Sequence, residues 1–251
     1  MRLDKFLGNS AAVTRSEAAK AIRAGRVTVN GTVVRQADFP LEPERDRVTF
    51  CGETVRYARF HYFLLNKPAG YVSATEDGRD PTVLSLLSSQ DGAGLFPCGR
   101  LDKNTLGLML LTDDGDLAHR LLSPRRHVKK VYAFRVKYPL DEAECARFRT
   151  GLTLEDGYET KPAEITLGED GCSGTVTLVE GKYHQIKRMM LALHNQIVFL
   201  ERISFGPLSL PTDLPRGAYR ALTEQETAAL YRAAGREESL EKQKKQGITA
   251  R

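Results

Sequence analysis

Short strand-like runs, joined by both tight turns and helical stretches, limit most strongly how this chain can fold. Five such runs follow one another in the larger part of the sequence, at 62–66, 108–112, 131–136, 175–179 and 197–203. Helical stretches separate them, at 81–87, 115–122, 141–149 and 184–194. A turn at 67–70 and a strand at 71–74 predict a hairpin after the first run. Strands joined by both hairpins and helices are typical of an α+β domain with a mixed sheet.

The start of the chain predicts two short helices. The first spans 2–9. Thr14 and Glu17 have the spacing of a capping box, in which each side chain binds the other residue's backbone N–H, and they predict the start of a second helix at 16–24. Gly25 ends that helix.

A hairpin follows the two helices. Residues 27–29 alternate like a strand, Asn30-Gly31 is the dipeptide most favourable to a tight turn, and 32–35 return as the second strand. The predicted order is therefore helix, helix, hairpin, and a linker is expected at 55–61 before the larger domain.

The positive charge of the chain is concentrated in this first module. The chain has 37 Lys and Arg against 32 Asp and Glu, a net charge of +5 at pH 7. Residues 1–35 contain seven basic and two acidic side chains, so they hold the whole excess. At about 100° per residue, four basic residues fall within roughly 140° of one another; they are Arg15, Lys20, Arg23 and Arg26. Such a basic stripe is either a solvated helix face or a phosphate-binding surface.

The sequence also limits the location and the chemistry of the protein. No apolar stretch reaches the roughly 18 residues of a membrane-spanning helix, and Asp4 and Asn9 interrupt the start where a signal peptide is apolar. The four cysteines contain no C-x-x-C pair, so neither a zinc site nor a disulfide framework is predicted. We therefore expect a cytoplasmic protein with reduced thiols, no membrane association and no metal.

One acidic residue lies in an unusual setting. Asp102 is part of GRLDKNTLG at 99–107, a glycine-bounded loop between two apolar runs. Arg100 and Lys103 flank it, so its carboxylate should stay ionised. Composition leaves two interpretations open, a reactive carboxylate or an Asp that caps a turn.

Four features together resemble RNA pseudouridine synthases of the small-subunit ribosomal RNA type. One is GRLD at 99–102, followed by TLGLMLLTDDG at 105–115. KVY at 130–132 resembles the family's K-x-Y motif, and EGKYHQIKRM at 180–189 resembles E-G-x-x-H-Q-[IV]-[KR]-R-M. The fourth is the helix, helix, hairpin module, which is similar to the small RNA-binding domain named after ribosomal protein S4. The resemblance runs in order from the first residue to about residue 226.

The resemblance implies a domain organisation. Residues 1–58 would be an S4-like RNA-binding domain, and 59–234 would be an α+β, mixed-sheet pseudouridine synthase domain. Residues 235–251 are charged and poor in apolar side chains, so we expect a disordered tail.

The resemblance also implies roles for individual residues. Asp102 matches the catalytic aspartate, which acts either as a nucleophile at C1′ of the ribose or as a base at C2′. Lys187 matches the basic residue paired with it, and the alternative is an ordinary surface lysine. Tyr132 matches the ring that stacks on the target uracil, where the alternative is a core tyrosine. Arg100 matches the arginine that helps to flip the base out of the RNA, where the alternative is a turn residue. His184 is expected to be structural.

Two groups of basic residues are candidates for RNA binding. The first comprises the charged side chains of the S4-like module, Arg2, Lys5, Arg15, Lys20, Arg23 and Arg26. The second is a patch near Tyr132 that includes Arg120, Arg125, Arg126, Lys129 and Lys130. Asp113, Asp114 and Asp116 lie close in sequence to this second patch, so it either contacts RNA or is neutralised by these acids.

The function implied by the resemblance is the isomerisation of a specific uridine in 16S ribosomal RNA, of the uridine-516 type, to pseudouridine. The reaction breaks the bond between N1 and C1′, turns the bound uracil and rejoins it through C5. No cofactor is implied, and the expected partner is ribosomal RNA in an assembling small subunit, bound by a monomer. Two alternatives stay open, a synthase acting on 23S ribosomal RNA and a ribosome-assembly factor that binds RNA without catalysis.

Overall fold

The computed structural model describes residues 1–10, 13–43, 45–55, 57, 59–89 and 91–237. Within these residues the helices are α1 Leu3–Ser10, α2 Arg15–Arg23, α3 Gly115–Leu122, α4 Glu142–Thr150, α5 Gln185–Leu191 and α6 Glu224–Ala233. The strands are β1 Val27–Val29, β2 Thr32–Val33, β3 Val48–Phe50, β4 Glu53–Val55, β5 Tyr62–Lys67, β6 Phe96–Cys98, β7 Leu106–Thr112, β8 Lys130–Val136, β9 Glu164–Leu167, β10 Ser173–Leu178, β11 Ile197–Phe205, β12 Leu208–Ser209 and β13 Tyr219–Ala221.

The N-terminal domain has the predicted order of helix, helix and hairpin. Thr14 and Glu17 form the expected capping box at the start of α2. Asn30 and Gly31, both with positive φ, turn the chain from β1 into β2. The structure adds a second hairpin, β3–β4, so that the sheet has the order β2-β1-β3-β4. Its core is closed by apolar side chains of both helices, including Phe6 and Ile22.

The larger domain is built on one mixed sheet, which confirms the expected α+β class. Its strand order is β13-β5-β7-β11-β8-β10-β9, with β12 paired to β11 and β6 paired to β7. The pair β7–β11 is parallel, and the other described pairs are antiparallel. This arrangement places the end of β6, the start of β7 and the middle of β11 close together.

Helices cover the sheet on both faces. Side chains of α4 and α5, such as Phe148 and Met189, pack with Tyr132 in one apolar cluster. Side chains of α3 and α6, such as Leu121 and Leu230, pack with Leu110 in the other. Alternate residues of β7 therefore enter opposite clusters, as expected for a strand buried on both faces.

The predicted hairpin at 67–74 is wrong. Both edges of β5 are already occupied, by β7 on one side and β13 on the other, so no edge is left for a strand at 71–74. Val72 instead makes one isolated bridge to Thr82. The predicted helix at 81–87 is only a 3₁₀ turn, Val83–Leu86.

The start of the expected C-terminal tail is anchored rather than free. The Arg236 guanidinium donates to Asp114 Oδ2 at 2.6 Å, and Asp114 is buried. Tyr62 also donates its hydroxyl to Asp114, at 2.7 Å. The tail prediction is therefore wrong for residues 235–237, and the rest of it, from 238 onward, lies outside the described residues.

His61 joins the two domains. Its Nε2 lies 2.8 Å from the Asn9 carbonyl oxygen in the N-terminal domain. Its Nδ1 and its backbone N–H both contact the Asp113 carboxylate, at 2.8 and 2.7 Å. The part of the chain expected to be a linker is therefore fixed at its end by polar contacts to both sides.

Candidate active site

Asp102 lies in the loop that connects β6 to β7. Gly107 in β7 lies against the backbone of β11, and a Cβ at this position would be 2.3 Å from the Arg202 carbonyl oxygen. Its φ is +96°, a conformation that favours glycine. Only a glycine therefore lets the loop enter β7 at this close approach to β11.

A buried lysine binds the backbone of the same loop. Lys67, at the end of β5, places Nζ 2.9–3.1 Å from the backbone carbonyl oxygens of Pro68, Asp102, Lys103 and Thr105. Burial lowers the pKa of Lys67 to about 8, an effect that the nearby Asp102 carboxylate opposes. The ammonium thus stabilises the backbone turn that carries Asp102, because it donates hydrogen bonds to the carbonyl groups of that turn.

The segment after Gly70 closes the loop from the other side. The Gly70 N–H donates to the Lys103 carbonyl at 2.9 Å. The Ser73 hydroxyl donates to the Leu101 carbonyl at 2.7 Å, and it accepts from the Leu101 N–H at 2.9 Å. The backbone on both sides of Asp102 is therefore held by this segment.

Two side chains of the motif at 180–189 contact the Asp102 carboxylate. Lys187 Nζ lies 2.6 Å from Oδ2, and His184 Nε2 lies 3.4 Å from Oδ1. All three side chains are only partly exposed. The short ion pair fixes the direction of the carboxylate.

The start of α5 brings these two residues to Asp102. His184 has φ +49° and ψ +31°, the left-handed conformation, directly before the helix begins. Glu180, which is buried, accepts from the Gln185 amide at 2.6 Å and from the Tyr158 hydroxyl at 2.7 Å. These contacts fix the helix start, so Lys187 is presented from a rigid element.

A cleft of about 920 Å³ opens above this pair. Asp102, Lys187 and Tyr132 line it. Tyr132 lies in β8 with 8% of its surface exposed, so its ring is supported by the core on one side and borders the cleft on the other. A carboxylate, a paired cation and an aromatic ring thus share one concave site, which suits a planar ligand bound beside a reactive acid.

The comparisons with known proteins agree on one family. The model of the RNA pseudouridylate synthase family matches residues 61–192, and the S4 domain model matches residues 1–48. The chain is 44% identical over 230 residues to an uncharacterized RNA pseudouridine synthase of Bacillus subtilis (strain 168), across 90% of this chain and 96% of that protein.

This chain belongs to the RNA pseudouridine synthase family. It is also 42% identical over 234 residues to ribosomal small subunit pseudouridine synthase A of Escherichia coli (strain K12), across 92% of this chain and 100% of that protein. A solved structure described as the crystal structure of pseudouridylate synthase superposes with a TM-score of 0.66 at 38% identity, across 92% of this chain and 99% of that chain. The synthase is therefore an isomerase with an N-terminal S4 domain, as the sequence predicts.

The structure brings the four predicted site residues of the synthase to one cleft. Asp102 and Lys187 form the ion pair, Tyr132 lines the wall, and Arg100 is exposed at the rim with no ion pair to any described residue. His184, expected to be structural, also lies in the site, because the left-handed residue at the start of α5 turns its ring toward Asp102.

The basic stripe of α2 and its C-terminal turn is exposed. Arg15, Lys20, Arg23 and Arg26 all face solvent, while Ala18 and Ile22 of the same helix are buried. None of these four basic side chains forms an ion pair with a residue that the structure describes. On α1, Lys5 is exposed in the same way, whereas Arg2 is engaged by Asp4, to which it donates at 2.8 and 3.1 Å.

The second basic patch is less uniform than the sequence suggests. Arg126 is exposed, but Lys129 pairs with Glu164 at 3.1 Å and Arg120 pairs with Asp116 at 3.0 Å. Lys130 is buried, with Nζ donating to the Val128 carbonyl, so it is not part of the surface. Burial lowers the pKa of Lys130 to about 8, and the neighbouring Arg202 adds to the shift.

Two functional groups of the synthase are not evident from its sequence. Lys67 contacts the Asp102 loop from 35 positions away, and Arg202 reaches the cleft from β11. The order of the strands in the sheet brings both residues close to Asp102.

In the described part of the chain no group of His, Cys, Asp and Glu is arranged to hold a metal ion, and no helix could cross a membrane.

Proposed function

We propose that this enzyme converts a specific uridine of 16S ribosomal RNA, of the uridine-516 type, to pseudouridine in the assembling small subunit. The observation that carries the proposal is the 2.6 Å ion pair between Asp102 and Lys187 in a cleft that Tyr132 also lines. The relative in E. coli is named a ribosomal small subunit synthase, and it aligns over its full length. That full-length similarity favours the 16S substrate over 23S ribosomal RNA.

Asp102 is the group that we assign to bond breaking. In one route its carboxylate attacks C1′, so that a bond from oxygen to C1′ forms as the N1–C1′ bond breaks. In the other route it removes the C2′ proton, and the C1′–C2′ double bond forms as N1 leaves. In both routes the ionised form is the active one, and the ion pair with Lys187 would hold the carboxylate aimed at the ribose.

Tyr132 and Arg100 are assigned to the base. Stacking on the Tyr132 ring would hold the uracil while leaving it free to turn in its own plane, because stacking has little directional preference. The target base must leave the RNA stack before it can react. Arg100, which is exposed at the rim, would occupy the space that the base vacates.

The N-terminal domain is assigned to RNA binding. Residues 1–58 would bind the phosphate backbone through Arg2, Lys5, Arg15, Lys20, Arg23 and Arg26, with Arg126 and Lys129 of the larger domain as additional contacts. Residues 59–234 would carry out the reaction. The enzyme would act in the cytoplasm as a monomer and without a cofactor.

The test compares 16S and 23S transcripts, each with and without the ribosomal proteins of its subunit. After incubation, the RNA is digested to fragments and pseudouridine is located by mass spectrometry after a reagent that labels it selectively. The proposal predicts one modified position, in 16S RNA. Modification of 23S RNA instead would replace the substrate, and salt-sensitive binding with no modification of either RNA would favour a non-catalytic assembly factor.

A further inference from the structure

The largest fully buried side chain of the described residues is a cation, Arg202 on β11, of which 1% is exposed. Its Nε donates to the Leu108 carbonyl at 2.7 Å, and Nη2 lies 3.8 Å from the Met109 sulfur. These contacts occupy two of the five N–H groups of a guanidinium. No carboxylate of the described residues forms an ion pair with it.

The position of Arg202 directs it to the cleft. Arg202 is the cross-strand partner of Tyr132 in the β11–β8 register, so the two side chains lie next to each other on one face of the sheet. Both line the same cleft as Asp102. Lys130 lies two residues before Tyr132 on β8, lines the same cleft and is close enough to Arg202 for the two cations to interact.

This arrangement is unfavourable in the free protein. A buried cation is stabilised by a paired carboxylate, and without one its desolvation is costly. The Phe205 ring, 5.1 Å from Arg202 Cζ, offsets only a part of that cost. A cation kept in this state beside a binding cleft indicates that the bound ligand supplies the missing negative charge.

The reaction creates such a charge. When the N1–C1′ bond breaks, its electron pair leaves with N1, and the uracil becomes an anion whose charge is shared with the carbonyl oxygens O2 and O4. This holds whether Asp102 forms a bond to C1′ or removes the C2′ proton. The charge is lost again when C5 bonds to C1′, after which C5 gives up its proton and N1 takes one up.

We propose that Arg202, with Lys130 beside it, forms the leaving-group site of the enzyme and stabilises the detached uracil anion through its unused N–H groups. The inference rests on the proposed function, because it concerns the same reaction. It assigns different residues of the cleft to the two parts of the reaction. Asp102 and Lys187 act on the ribose, and Arg202 acts on the base.

The test varies how strongly the substrate itself stabilises the uracil anion. Fluorine at C5 withdraws electrons and stabilises the uracil anion without help from the protein, so 5-fluorouridine needs the leaving-group site less than uridine does. We compare wild type, Arg202→Gln and Arg202→Lys under single-turnover conditions on RNA with uridine or 5-fluorouridine at the target position. Fluorine cannot leave C5 as a proton does, so the rearranged 5-fluoro base keeps its fluorine, and the reaction on both substrates is followed as loss of the N1-linked nucleoside, by chromatography after digestion. RNA affinity and thermal unfolding are measured in parallel.

The expected result is a loss of about 100-fold for Arg202→Gln on uridine, a size typical of removing one donor to a developing anion. On 5-fluorouridine the loss should be about tenfold or less, with RNA affinity unchanged. Arg202→Lys keeps the charge and should be intermediate on uridine. If the Gln variant does not fold, the same comparison with the Lys variant decides the question.

Lys187→Gln is the matched control, because its defect arises at the Asp102 carboxylate. Its loss should be similar on both substrates. An equal loss of rate for Arg202→Gln on uridine and 5-fluorouridine would overturn the proposal. The proposal would also be overturned if 5-fluorouridine reduced the loss of rate by the same factor for Arg202→Gln and for Lys187→Gln. A wild-type enzyme that converts neither substrate would instead contradict the proposed function.

Discussion

The cleft around Asp102 and the basic stripe of α2 use positive charge in opposite ways. Lys67, which binds the Asp102 loop, and Arg202, which lines the cleft, are both buried, and Lys187 is held against a carboxylate. In the basic stripe, the side chains of Arg15, Lys20, Arg23 and Arg26 are exposed and form no ion pair with a described residue. Buried, fixed cations suit the stabilisation of charge at defined atoms, whereas exposed cations suit phosphates at variable positions.

This contrast separates two measurable quantities. Changes in the cleft should alter the rate of the chemical step at saturating RNA, and changes in the basic stripe should alter the affinity and its salt dependence. A variant of one region that changes the quantity assigned to the other would break the comparison.

The largest effect is expected for Asp102→Asn. The change removes the charge of the group that attacks or deprotonates the ribose, so turnover should fall by about 10³-fold or more. RNA affinity should stay within about threefold of wild type, because one carboxylate is removed from a site that binds an anion. Nucleoside analysis gives the rate and filter binding the affinity.

Glu142→Gln is the control for this variant, because Glu142 is a surface carboxylate of α4 that pairs with Arg149. It should leave both quantities unchanged. An Asp102→Asn variant that loses RNA binding together with turnover would contradict the separation.

A smaller effect is expected for Lys187→Gln. The amide keeps part of the length of the side chain but loses the ion pair to Asp102, so the rate at saturating RNA should fall by on the order of 10²-fold. Lys187→Arg restores a cation and should recover part of the loss. Single-turnover kinetics measure both, and an Arg variant as slow as the Gln variant would show that charge is not the basis of the effect.

The basic stripe should affect binding alone. Replacing Lys20, Arg23 and Arg26 together by Gln should weaken RNA affinity by about tenfold or more and lower the slope of log affinity against log salt by about 2–3. The rate at saturating RNA should stay within about twofold of wild type. A triple variant with a normal salt slope would remove these residues from the RNA interface.

Two exposed arginines of the larger domain serve as controls for charge alone. Arg147→Gln and Arg232→Gln change positions on α4 and α6 that the proposal does not assign to RNA. Together they should change the salt slope less than the triple variant does.

The smallest effect concerns stability and pH. Burial lowers the pKa of Lys130 to about 8 from 10.5, so between these values the unfolded state binds more protons than the folded state. The contribution of Lys130 to the free energy of unfolding of the protein therefore rises as pH increases from about 8 to about 10.5. Below pH 8 the buried ammonium lowers stability, by up to a few kcal/mol.

Lys130→Met removes this titration, and thermal unfolding at several pH values measures it. The stability of the wild type relative to the Met variant should increase from pH 8 to pH 10.5. A constant difference across this window would show that Lys130 does not titrate there.

Local patterns account for the parts of the fold that the sequence predicts well. The capping box of Thr14 and Glu17 and the turn at Asn30-Gly31 depend on residues three or fewer positions apart, and both form as expected. The hairpin predicted at 67–74 fails for a non-local reason, since β13, more than 150 residues after the start of β5, occupies the edge that the hairpin would need.

The candidate site shows the same limit. Motifs at 99–102, 130–132 and 180–189 identify Asp102, Tyr132 and Lys187, and the structure brings all three to one cleft. Neither Lys67 nor Arg202 is recognisable in this way, because each becomes part of the site only through the pairing of β7 with β5 and β11. Such contacts follow from the topology of the sheet, which local patterns do not encode.

The most direct test of the Asp102 site is the release of tritium from 16S RNA labelled at C5 of uracil, in the presence of the small-subunit proteins. Rejoining the base through C5 must expel the hydrogen at that atom. We expect release by the wild type in proportion to the target sites present, and none by Asp102→Ala at equal RNA occupancy. Release by Asp102→Ala at the wild-type rate would contradict the assignment of the reaction to this carboxylate.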